Sequence, residues 1–110
     1  MKSSIRHKLE QISERFAEIT ALLAEPEIQG DTDRFRDLSQ EYAQLEPIVR
    51  SYTAFSENEA ELHNAREMLE DPETAELAQD ALADAEPRAA QLLRELQCLL
   101  LPSHRDDERN

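Results

Sequence analysis

The sequence predicts an all-α fold: a three-helix antiparallel assembly with a long, coiled-coil-like helical hairpin. Three observations carry that expectation. Apolar residues recur at spacings of three and four along three segments, which places them on one stripe of a helix. There is one glycine in 110 residues, too few for the tight turns of an all-β fold. The joint between the second and third segments is very short, so those two helices fold back on each other.

The first segment runs from about Ser4 to Ala24, with Ile5, Leu9, Ile12, Phe16, Ile19 and Leu23 on its stripe. Ser4 is the expected N-cap, because its hydroxyl can accept a bond from a free first-turn N–H. Pro26 and Gly30 are expected to end the helix. The first helix is then expected to lay its stripe against the hairpin.

The second segment opens at Asp31-Thr32-Asp33, which caps a helix and sets negative charge at its positive end. Its stripe is Phe35, Leu38, Tyr42, Leu45, Val49, Tyr52 and Phe55, continuing through Leu62, Ala65 and Leu69. Pro47 lies within it and removes one hydrogen bond. The apolar register crosses Pro47 without a phase shift, so a kink near residues 43–47 is expected and a loop is not.

The third segment starts at Asp71-Pro72-Glu73, read as an N-cap Asp, an N1 Pro and an acidic first turn. Its stripe is Ala78, Leu82, Ala85, Ala89, Leu92, Leu96 and Leu99, with Pro87 inside it and Pro102 as the stop. Leu38 and Leu96 are core positions on this reading, where an aspartate would unfold the chain. Residues 1–102 form one helical domain, and residues 103–110 form a polar linker.

The net charge is −13, and it is uneven. Residues 1–24 carry +1, residues 25–72 carry −9, and residues 73–110 carry −5. Such a balance argues against a nucleic-acid groove, which needs Lys and Arg to displace counterions. It also argues against attraction to an anionic membrane surface. The negative hairpin is a solvated face or a guide toward a basic partner, such as a ribosomal protein. No apolar stretch approaches the length of a membrane helix, and no apolar run follows the basic start, so the expected compartment is the cytoplasm.

No constellation for catalysis, cofactor binding or metal ligation is found. His7, His63 and His104 lie in different segments without metal-ligand spacing. Glu57, Glu59 and Glu61 are two apart, which splays side chains on a helix. Cys98, the sole cysteine, is read as a core or boundary residue within Leu96-Gln97-Cys98-Leu99. Tyr42, Tyr52 and Phe55 are read as core packing, not as a base-stacking platform. The expected function is therefore non-enzymatic: an acidic helical interaction domain without cofactor. A self-associating acidic coiled-coil scaffold is the alternative, supported by the 3-4 spacing and opposed by the two prolines and the short hairpin turn. A chaperone-like hairpin would expose apolar residues at its tip, where Glu70, Asp71 and Glu73 stand instead.

Several strings go beyond pattern. Residues 34–45, Arg-Phe-Arg-Asp-Leu-Ser-Gln-Glu-Tyr-Ala-Gln-Leu, resemble the second helix of the bacterial peptide chain release factor 1 family, a class I release factor. Met68-Leu69-Glu70-Asp71-Pro72-Glu73, followed by Glu76-Leu77-Ala78, is similar to that family's hairpin turn. Leu99-Leu100-Leu101-Pro102, with Asp106-Asp107-Glu108-Arg109-Asn110, is similar to the end of its first domain, and Met1 to Ile5 with Lys8-Leu9-Glu10 also fits. Ser103-His104-Arg105 departs from the family, which often has Lys-Asp-Pro there. The resemblance implies a protein that reads UAA and UAG and promotes hydrolysis of the peptidyl-tRNA ester. The Gly-Gly-Gln tripeptide and the codon-reading element of that family are absent here, so the chain resembles its N-terminal domain. That domain is implied to be non-catalytic. Its implied partners are the stalk base of the large ribosomal subunit and release factor 3.

Overall fold

The computed structural model describes residues 2–101. Of these, 88 % are helical, and no strand occurs among them. Four helices follow one another: α1 (Ser3–Leu23), α2 (Pro26–Gln29), α3 (Thr32–Met68) and α4 (Ala75–Leu100). The all-α expectation holds, with one more helix than the sequence reading gave. The expected stop at Pro102 and the expected linker 103–110 lie outside the described residues, as does His104. The described residues fall into two compact units divided between Arg50 and Ser51, a boundary that lies within α3.

In the first unit, α1 takes its expected face. Leu9 and Ile19 are fully buried, and Ile5, Ile12, Phe16 and Leu23 are half-buried. The start of α1 differs from expectation. Lys2 is extended and holds the N-cap position without a side-chain cap, and the Arg6 N–H donates to its carbonyl at 3.0 Å. Ser4 lies inside the first turn, two positions past the N-cap and too late for its hydroxyl to cap. Pro26 and Gly30 do not merely end α1. Pro26 is the first residue of α2, Gly30 is its C-cap, and Ile28 between them is buried. Pro at the first helical position and Gly just past the last is the usual asymmetry of a helix, compressed here into one turn. Gly30 has φ −83°, so the turn does not need glycine's conformational freedom.

Asp31 caps α3 as expected. Its Oδ1 accepts the Arg34 N–H at 3.2 Å, and its carbonyl accepts the Phe35 N–H at 2.8 Å. The Phe16 and Tyr42 rings meet with centroids 4.7 Å apart, which places Tyr42 in packing. Above this contact the Arg15 guanidinium grips Glu41 with both Nε and Nη2, each at 2.8 Å, while Nη1 reaches Glu18 at 2.9 Å. The fork-to-carboxylate geometry is the strongest form of such a pair. The Arg15 hydrogen bond holds the Glu41 carboxyl below its ordinary value near 4.5. Since the folded value is depressed, the stabilisation is present above the ordinary carboxylate range and is lost as pH falls through the folded value. The two side chains are 40 % and 36 % exposed, so water and salt screen the pair and its effect is modest. Glu41→Gln is expected to lower Tm slightly at pH 7 and by less at pH 3, read by circular dichroism melts. An equal deficit at both pH values contradicts this.

In the second unit, residues 51–68 of α3 pair with α4. Helix α3 passes through Pro47 and α4 through Pro87 without a loop, as the unbroken register required. Phe55, Leu62 and Ala65 of α3 are buried, as are Ala78, Ala85 and Leu96 of α4. The apolar stripes are exposed at several of their ends. Phe35, Leu69 and Leu99, all expected in the core, stand more than a third exposed. Leu38 is half-buried, so the core expectation holds for Leu96 and only in part for Leu38. Cys98 is exposed and not core. A step of two residues from fully buried Leu96 is about 200° around the helix, which turns Cys98 to the opposite side.

Candidate functional site: the acidic hairpin end

The turn between α3 and α4 is built by two side chains. Asp71 accepts the Glu73 N–H on Oδ1 at 3.0 Å, and its carbonyl accepts the Thr74 N–H at 3.0 Å. Asp71-Pro72-Glu73 is thus a tight turn of its own. It was expected to be the start of α4, which instead begins at Ala75 with Thr74 as the N-cap residue. Thr74 makes the connection: its Oγ1 donates to the Met68 carbonyl at 2.8 Å. That carbonyl, one of those at the end of α3 without an intrahelical partner, also accepts the Asp71 N–H at 3.2 Å, and the Thr74 bond ties the two helix ends together. Nothing in the apolar pattern marks Thr74, because its role is a backbone bond across the turn.

This end has an unusual surface. Between residues 67 and 77 stand Glu67, Glu70, Asp71, Glu73 and Glu76, with no lysine or arginine. Among these acids Met68, Leu69 and Leu77 are exposed, Leu77 at 64 %. The sequence reading set acidic residues in place of exposed apolar ones at the tip, whereas the structure has both. Both kinds of residue reach water because neither helix has a facing helix beyond the turn. Apolar side chains rimmed by one sign of charge suit a protein surface that is basic and partly apolar. Phosphate would be repelled.

The remaining residues singled out in the sequence do not converge. Glu61 pairs with Arg88 at 3.6 Å, and Arg88 also binds Asp84 one turn away. Glu57 is exposed and Glu59 half-buried, about 200° apart around the helix. His63 lies 3.1 Å from Glu67, an ion pair only when protonated, and His7 is exposed at the other unit's α1. Among the described residues no three His, Cys, Asp or Glu side chains are grouped to hold a metal, and no helix is long and apolar enough to cross a membrane. In the first unit a shallow open groove of about 350 Å³ is lined by Arg15, Leu22, Arg34, Asp37, Leu38 and Glu41. Its Arg15 and Glu41 are already engaged with each other.

One buried polar residue escaped the sequence reading. Asn58 is 2 % exposed and sits between Phe55 and Leu62 on the core stripe. The signal was a seven-residue gap in the apolar spacing, where 3-4 periodicity calls for a residue at 58.

No solved structure matches the chain. The PCRF domain family matches residues 12–110, and the chain therefore belongs to the peptide chain release factors, proteins of translation termination.

Proposed function

We propose that these residues form a non-catalytic docking domain of a release factor of the kind that reads UAA and UAG in the ribosomal A site. The domain carries no catalytic residue, no cofactor and no metal. It works in the cytoplasm, positioning the factor at the stalk base of the large subunit and meeting release factor 3. The observation that carries this reading is the family match over residues 12–110, joined to a hairpin end whose acidic rim and exposed Leu77 suit a basic protein. The chain's one glycine, Gly30, cannot supply a Gly-Gly-Gln tripeptide. Contact with ribosomal protein rather than rRNA follows from the charge, since an acidic hairpin gains nothing by releasing counterions from phosphate.

Co-sedimentation and a release assay test the reading together. The chain is expected to pellet with large ribosomal subunits and to hydrolyse no peptidyl-tRNA on stop-programmed ribosomes. Peptide release by the chain, or no binding to the subunit, overturns it.

A further inference from the structure

Asn58 is buried on the core stripe of α3, and its two amide atoms have different fates. Nδ2 donates to the carbonyl of Ala85 on α4 at 3.0 Å. Oδ1 is buried with no hydrogen-bond partner. The amide's orientation is set by that carbonyl, which can only accept, so the flipped amide would face oxygen with oxygen. Asn58 lies ten residues before the end of α3 and Ala85 ten residues after the start of α4. The bond therefore joins positions equidistant from the turn.

Ala85 is suited to this contact. Its methyl group is small enough for the amide to reach the backbone behind it. Leu82, one stripe position before it, and Leu92, one heptad after it, carry branched side chains that would cover their carbonyls. A polar group left half-satisfied in a core lowers stability compared with an apolar residue of similar shape. A single buried asparagine on a heptad stripe is also the best-attested device for fixing helix register.

We propose that Asn58 is a register pin: its bond to the Ala85 carbonyl selects the observed antiparallel pairing of α3 and α4 over the pairing slipped one heptad toward Leu92, at a cost in stability. A slip by one heptad in the direction of Leu92 puts leucine opposite the amide and leaves both its atoms unpaired. An α3 with leucine at 58 has no such preference, and the register then rests on Phe55, Leu62 and Ala65 and on the Thr74 bond across the turn.

The test uses pulsed electron spin resonance on the whole chain. Nitroxides are placed at exposed positions by Asn64→Cys and Asp80→Cys, in a Cys98→Ser background. A one-heptad slip moves one label past the other by about 10 Å. The chain with Asn58 is expected to give one distance. Asn58→Leu is expected to give a second population shifted on that scale and a Tm higher by about 5 °C. Asn58→Ala, which lacks the amide without adding bulk, is expected to give the second population without the gain in Tm. A single unshifted distance in both variants, or a fall in Tm with Asn58→Leu, overturns the proposal.

Discussion

Leu96→Asp unfolds the chain. Leu96 is fully buried in α4, so the substitution removes its transfer free energy, about 1.5–3 kcal/mol. It also places a carboxylate where water does not reach. A carboxylate in such a site either stays charged without a partner or takes up a proton, and both are costly. Together they exceed the ~4–5 kcal/mol that marks an exceptional single substitution, against a total stability of roughly 5–15 kcal/mol for a domain. Loss of the helical circular dichroism signal at 25 °C is the expected result. Leu38→Asp, at a half-buried position, lets its carboxylate turn to water and should leave a folded chain with a lower Tm. Equal damage from both substitutions would contradict the burial difference between them.

Neutralising the hairpin end separates docking from folding. Glu70, Glu73 and Glu76 are exposed, and none is given a structural bond by its side chain here. The triple Gln variant is expected to keep its helical signal and to weaken binding to large subunits by about tenfold, equivalent to about 1.4 kcal/mol. Leu77→Ser acts in the same direction by removing exposed apolar area. The loss in the triple variant falls mainly on the association rate, and wild-type binding weakens with added salt. Glutamine avoids the ambiguity of lysine, which would attract rRNA on its own account. Unchanged binding in both variants would place the interface elsewhere on the chain.

The periodic stripes were legible because burial of one helix face is a local, repeating requirement. All six stripe residues of α1 are among its less exposed positions, and Asp31 caps α3 where its side chain chemistry says it should. The unbroken register across Pro47 was enough to exclude a loop. What periodicity does not carry is where a facing helix stops, so Phe35, Leu69 and Leu99 were placed in the core. It does not carry a single-turn helix either, and α2 with buried Ile28 was read as a break. Position 58 was passed over because asparagine is polar, although its spacing fits the core stripe. The candidate site was legible in its charge and not in its shape. The acids of the turn stand in the sequence, but exposure of Met68, Leu69 and Leu77 depends on how the turn closes through Thr74.

Docking through the hairpin end is most directly tested by a photo-crosslinking residue in place of Leu77, irradiated with large ribosomal subunits and analysed by mass spectrometry. Crosslinks to a basic ribosomal protein at the stalk base are the result predicted. Crosslinks to rRNA alone, or none above the level of the same residue placed at exposed Gln11 of α1, would contradict it.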